Sequence, residues 1–316
     1  MSKKLTALLL ILLLLAGCTG NTQPVYESSP APTIPAATII ATEAAPTQAP
    51  TEPPLEGLTV HFIDVGQADC ALLECDGEYA IIDAGYPERA DKVVEYMAGL
   101  GVEALDLLVA THPHGDHIGG LPTVLDAYPV ETVWSSELPF SNDYTRSFQN
   151  AVALRRVPLT VPEIGDVFEL GDATITVIGP VRMDYEDVNN ISLVLMVQYG
   201  DIRFLFTGDM ERDAEEELLD SGADVKADVL KVGHHGSYTS TSYRFLYEVE
   251  PTYAVICVGG NNEYGHPHDE PMSRLQDADV TIYRTDKMYD IVAVTDGKDI
   301  QFSWGNRFAK PWMPAA

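Results

Sequence analysis

Three segments of this chain share one arrangement, and it restricts the fold more than any other feature. A short apolar run rich in strand formers ends, and side chains of metal-ligand type follow at once. Leu105 to Ala110 runs into Thr111-His112-Pro113-His114-Gly115-Asp116-His117. Ile202 to Phe206 leads through Thr207 and Gly208 to Asp209, and Val229 to Val232 leads through Gly233 to His234 and His235. A largely apolar run marks a strand covered on both faces. Several such strand ends can converge on one edge of a sheet, which gathers residues far apart in sequence.

The chemistry of the first cluster is specific. Seven of the 8 histidines of the chain fall in three short clusters. Neutral imidazole is the commonest protein ligand for a transition metal, and a carboxylate can complete or bridge such a site. Four ligand-type side chains within six residues can serve two adjacent ions if the backbone turns sharply, and Pro113 and Gly115 suit that turn. Paired metal ions hydrolyse ester, amide or phosphodiester bonds.

The remaining pattern predicts strands at Leu58 to Val65, Cys70 to Glu74 and Tyr79 to Ile82, the last two joined by an Asp76-Gly77 hairpin turn. A helix is expected over Ala90 to Leu100, stopped by Gly101, and another from His117 onward. Further strands are read at Ala173 to Ile178, Ser192 to Gln198, Tyr253 to Val258, Ile291 to Val294 and Ile300 to Trp304. Glu211 to Leu219 reads as an amphipathic helix whose acids form a solvated face, and Glu270 to Leu275 as a helix start. Strands outnumber helices and helices recur in both halves, so two packed sheets with helices outside fit the pattern.

The N-terminal part stands apart. Lys3 and Lys4 precede an apolar run from Leu5 to Ala16, which is followed by Gly17 and Cys18. A basic start, a short apolar stretch and small residues make a secretory signal over residues 1–17. Leu15-Ala16-Gly17-Cys18 resembles the bacterial lipobox, which makes Cys18 the expected lipidation site and the extracytoplasmic face of the bacterial membrane the expected location. Residues 18–56, rich in Pro, Thr and Ala, read as a tether. The globular domain is expected at 57–308, with a tail at 309–316. Cys70, Cys75 and Cys257 do not form a disulfide framework and read as small core residues. The formal net charge of −29 argues against stable, non-specific nucleic-acid binding. It permits phosphodiester cleavage, because bound cations supply local positive charge.

Thr111 to Gly120 resembles the signature of the metallo-β-lactamase superfamily. Phe62 to Asp69, Asn189 to Leu193, Phe206 to Asp209, Leu230 to Ser237 and Tyr264 to His268 are similar to the hydrolase domain of ComEC-type competence proteins. The resemblance implies an α/β fold, the four-layer αββα sandwich, with two divalent metal ions, Zn or Mn, between the sheets. It places His112 and His114 on one ion, Asp116 and His117 on the second, and Asp209 between them. His234 is expected to complete the second site, with His235 as a neighbour or the alternative ligand. Asn190 stands where many members carry a third histidine; it is either a hard oxygen ligand, which would favour manganese, or a hydrogen bonder at a turn. Asp116, His266 and His268 are the candidate catalytic groups, the two histidines on a loop that either reaches over the site or is structural. Ser237, Thr239, Ser240 and Thr241 either bind a phosphate or form a helix N-cap run. Asp64, Asp69 and Asp83 are expected to orient ligands, and His61 to lie in the core.

These readings imply a membrane-anchored, metal-dependent hydrolase acting on a small or polymeric phosphodiester. An amide or ester hydrolase, including a β-lactamase, is one alternative, and a non-catalytic metal-binding lipoprotein is another.

Overall fold

The computed structural model of the chain describes residues 55–138 and 142–306. The expected signal, Cys18, nearly all of the tether and the tail lie outside the described residues. Among those described, no helix is long and apolar enough to cross a membrane.

Strands β1 (Leu58–Phe62), β2 (Ala71–Cys75), β3 (Glu78–Ile82), β4 (Leu105–Ala110), β5 (Val130–Ser135) and β6 (Leu159–Thr160) come from the first half. β7 (Val167–Leu170), β8 (Ala173–Gly179), β9 (Val194–Tyr199), β10 (Ile202–Phe206), β11 (Val229–Lys231), β12 (Tyr253–Ile256) and β13 (Thr281–Arg284) follow, and β14 (Asp290–Thr295) and β15 (Ile300–Gly305) return to the first sheet. The first sheet has the order β15-β14-β1-β2-β3-β4-β5-β6, and the second the order β13-β12-β11-β10-β9-β8-β7.

Three apolar clusters make four layers of these elements. Phe62, Leu107 and Val109 from the first sheet meet Phe204, Phe206, Val229 and Val255 from the second. Phe62 stacks on Phe206 across that interface, with ring centroids 5.8 Å apart. The outer face of the first sheet, with Leu108 and Ala110, packs on α1 (Ala90–Leu100), α2 (Gly115–Ile118), α3 (Leu121–Ala127) and α4 (Asp143–Arg155) through Val93, Met97, Ile118, Leu121 and Phe148. The outer face of the second sheet, with Leu205 and Leu230, packs on α5 (Arg212–Asp220), α6 (Tyr243–Val249) and α7 (Asp269–Asp277) through Leu218, Phe245 and Leu275. This is the expected αββα sandwich. β4 and β11 read as unbroken apolar runs because helices cover one face and the opposite sheet the other.

One part of the sequence reading is corrected. Glu215 is not solvated: it is 1% exposed and accepts the backbone N–H groups of Thr241 and, at 2.9 Å, Ser242. It thereby ties α5 to the start of α6. Burial outweighs those donors and raises its pKa. The three cysteines are buried and free, and His61 is buried with Nδ1 2.9 Å from Tyr96 Oη, all as expected.

Candidate metal centre

The turns after β4, β10 and β11 meet at one end of the sandwich. His112, His114 and Asp209 place one ligand atom each within 4.8 Å of one another, and Asp116, His117, Asp209 and His235 do the same. Asp209 belongs to both groups. Its Oδ1 is 3.2 Å from His117 Nε2, and its Oδ2 is 3.6 Å from His235 Nε2 and 3.8 Å from His112 Nε2. His112 Nε2 lies 3.1 Å from His114 Nδ1, and Asp116 Oδ2 lies 3.2 Å from His235 Nε2.

The arrangement places His235, where His234 was expected, in the second group. His234 is displaced because its Nδ1 sits 3.0 Å from Glu211 Oε1. Its Nε2 still lies 3.8 Å from Asp209 Oδ2, so it flanks the centre. Both histidines have left-handed backbones, with φ of 48° and 52°, a conformation that costs energy in a residue with a Cβ. Two consecutive residues of this kind make a tight turn that aims neighbouring rings differently.

Hydrogen bonds fix which ring nitrogen faces the centre. His117 Nδ1–H donates to Asp83 Oδ2 at 2.8 Å, which points Nε2 at Asp209. Thr111 donates both its N–H, at 2.9 Å, and its hydroxyl, at 2.6 Å, to the same carboxylate. With its proton spent on Asp83, the Thr111 oxygen accepts from His112 Nδ1–H at 3.2 Å. His235 Nδ1–H donates to Cys257 O at 2.9 Å, which turns its Nε2 toward Asp116 and Asp209. Asp69 approaches that same Nδ1 at 3.2 Å and pairs with Lys231 Nζ. Lys231, 3% exposed, further donates to Gly208 O at 3.3 Å and Val232 O at 2.9 Å, holding the backbone on each side of the centre.

Gly208 makes the Asp209 turn possible. Its φ is +51°, and a Cβ there would sit 2.9 Å from Ser192 Oγ. That hydroxyl accepts the Asp209 N–H at 3.0 Å and donates to Asn189 O at 2.7 Å.

The donor set fits divalent cations. His117 Nε2 and Asp209 Oδ1 are buried and have no hydrogen-bond partner among the described residues, although they face each other. Burial opposes charge on His117, yet Asp209, Asp83 and Asp116 hold its pKa well above the usual range. Burial likewise pushes Asp209 up, but His117, His235 and His234 hold it well below a normal carboxylate. His112 goes the other way, pushed well down first by burial and then by His117. So much buried negative charge, with Lys231 as the one adjacent buried ammonium among the described residues, calls for positive charge between the donors.

Asn190 takes the second of its two expected roles. Its Oδ1 accepts the Glu211 N–H at 2.9 Å. Glu211 in turn accepts the Thr239 hydroxyl at 2.7 Å and contacts His234. Burial raises the Glu211 pKa, but His234 and Thr239 more than offset that. Thr239 and Ser237, whose hydroxyls are 2.9 Å apart, belong to this network. Ser240 and Thr241 are buried, Ser240 donating to Met210 O at 2.8 Å, and the helix cap falls to Ser242.

His266 lies against the centre, its ring centroid 5.6 Å from that of His234 and 6.4 Å from that of His235. Burial and then the charges of His235, His234 and His268 push its pKa down to about 4. His268 is further out: its Nδ1 accepts the Tyr238 N–H at 3.1 Å, and its ring stands 4.8 Å from that of His266. Asp64 binds the Gly66 N–H at 3.1 Å and belongs to the scaffold. Sequence reasoning gave no role to Glu211, Lys231 or Gln67. The signal for Lys231 was there: one ammonium inside an apolar strand needs a buried anionic partner.

Two metal groups joined by one aspartate, at a convergence of strand ends between two sheets, match what the comparisons find. The sequence profile of the Metallo-beta-lactamase superfamily matches residues 63–260. The chain belongs to that superfamily. Within it, the chain is 31% identical over 246 residues to ComE operon protein 3 of Bacillus subtilis, covering 72% of this chain and 32% of that protein. It is 32% identical over 222 residues to Recombination protein 2 of Haemophilus influenzae, covering 68% of this chain and 26% of that one. The chain thus spans about a third or less of the length of these curated relatives. The metallo-beta-lactamase fold protein YhfI of Bacillus subtilis superposes with a TM-score of 0.51 at 11% identity, covering 78% of this chain and all of that one, which shows the shared fold.

In this superfamily member, Asp83 is the group that three hydrogen bonds aim at His117 and Thr111. Asp83→Asn is expected to weaken metal affinity about 10–100-fold, the usual cost of removing a partner behind a ligand. Competition against a chelating dye measures it.

Proposed function

We propose that this chain is a phosphodiesterase with a dinuclear centre, carried at the extracytoplasmic face of a bacterial membrane by lipid on Cys18. The observation that carries the reading is the sharing of Asp209 between two ligand groups. In this reading His112, His114 and Asp209 hold one ion, and Asp116, His117, Asp209 and His235 hold the other. Nitrogen and oxygen donors together suit zinc or manganese. When bound, such ions supply Lewis acidity toward a phosphoryl oxygen and make water nucleophilic at neutral pH.

The side chains have separate tasks. Asp83, Thr111, Cys257 and Lys231 keep the ligands oriented. His234, held by Glu211, stands at the mouth of the centre and positions substrate. His266 offers a hydrogen bond to a substrate oxygen, while His268 supports its loop. The net charge of −29 gives the surface little grip on a long polyanion, so the local positive charge comes from the ions. Similarity to competence and recombination proteins supports a phosphodiester over an amide.

The test is an assay of the purified chain, loaded with manganese or zinc, on bis(p-nitrophenyl) phosphate and on a β-lactam. Turnover of the diester alone, lost on chelation and regained with either ion, is the expected result. β-Lactam turnover without diester turnover would replace the proposal with an amidase. Full metal loading with no turnover at all would leave a binding lipoprotein. In cells, the chain is expected in the membrane fraction, and Cys18→Ser in the soluble fraction.

A further inference from the structure

We propose that Gln67 is a positioning residue that locks His266 as the tautomer protonated on Nε2, and this rests on the phosphodiesterase reading for its catalytic consequence. The argument starts from the orientation of the Gln67 amide. Gly259 N–H donates to Gln67 Oε1 at 3.1 Å. An N–H donor can only meet the carbonyl oxygen, so the amide nitrogen faces the other way. There, Gln67 Nε2 lies 3.1 Å from His266 Nδ1. An amide NH₂ only donates, so Nδ1 only accepts. The ring is therefore neutral, and its one proton sits on Nε2, the nitrogen left for a ligand.

The surrounding backbone is built to hold this pair. Gly259 has no side chain because the Gln67 loop runs against it: a Cβ there would sit 2.6 Å from Gln67 N. Asn262 closes the circuit. Its Nδ2 donates to Gly259 O at 2.9 Å and to His266 O at 2.6 Å, and its Oδ1 accepts the His266 N–H at 2.9 Å. Residue 67 follows β1 and residue 259 follows β12, so contacts between the two sheets set the amide orientation.

A neutral imidazole held this way gives a hydrogen bond and does not give up its proton. It can stabilise negative charge growing on a phosphoryl oxygen, the role of a preorganised donor. Gln67→Glu reverses the polarity: a carboxylate accepts, so the proton moves to Nδ1 and Nε2 presents a lone pair to the substrate. Gln67→Leu removes the constraint altogether.

Two-bond ¹H–¹⁵N spectra of histidine-labelled full-length protein, with His266 assigned through His266→Gln, read the tautomer directly and without substrate. The expected spectrum shows Nε2–H for the parent chain, Nδ1–H for Gln67→Glu, and a mixture for Gln67→Leu. With the zinc-loaded protein, Gln67→Glu is expected to lower kcat about 100-fold with KM little changed, the signature of a lost transition-state donor. A parent chain with Nδ1–H, or tautomers unchanged in both variants, would overturn the proposal. So would a flipped tautomer with kcat intact. A parent chain that hydrolyses no diester would overturn the phosphodiesterase reading alone, because the ring nitrogens report independently of turnover.

Discussion

Asp209→Ala is expected to abolish diester turnover, with kcat/KM falling by about 10³-fold or more, since it removes the ligand common to both ions and several kcal/mol of charge stabilisation with it. Metal content is expected to fall below one ion per chain. The side chain is buried, and its Oδ2 is the point on which three of the histidines converge. Truncating it therefore leaves both groups short by the same residue. The fold should survive, because the backbone bond from Asp209 to Ser192 Oγ does not depend on the Asp209 side chain. Metal analysis, circular dichroism and the diester assay together test this. A variant that keeps two ions and most of its activity would show that the aspartate is not shared.

Adjacent histidines give the second large effect. His235→Ala is expected to lose one ion and about 10³-fold in kcat, because a metal's charge stabilisation goes with its ligand. His234→Ala is expected to keep both ions and lose about 10–100-fold, as a partner that orients the site does. The contrast follows from the turn. His235 is buried with Nε2 on Asp116 and Asp209, whereas His234 is partly exposed and directed at Glu211. Equal metal loss in the two variants, or the reverse order, would restore His234 as the ligand.

The contrast also shows where sequence reading stops. The apolar runs that became β4 and β10, and the helix from Ala90 to Leu100, were legible to the residue. Each is a periodic segment with a clear stop, such as Gly101, whose φ of 80° caps α1. The His112 to His117 cluster was legible because its ligands lie within six residues. The choice between His234 and His235 was not. A period-two strand gives its next residue a predictable side, but two left-handed residues after Gly233 break that alternation. Asn190 was ambiguous for a related reason: an amide serves a cation or a backbone N–H equally well, and only the position of Glu211 decides.

The segment from Val130 to Leu170 was passed over, although it holds β5, α4, β6 and β7. α4 carried its own signal in Phe148, Ala151 and Val152 at helical spacing, with an Asn142–Thr145 capping box at its start. Mixed charges on the remaining face masked it. Glu215 failed in the opposite sense. It sits in a run of acids that looks uniformly solvated, and only the docking of α6 selects it for burial.

The donors of the centre are divided between halves of the polypeptide. The region up to β6 contributes His112, His114, Asp116 and His117, and the region from β9 onward contributes Asp209 and His235. A nascent chain halted before Asp209 would hold just two donors for either ion. High-affinity loading therefore waits until the C-terminal half has been made and docked. Ion uptake followed in real time would report completion of tertiary assembly, and an ion once captured would shift the equilibrium against parting of the sheets by mass action.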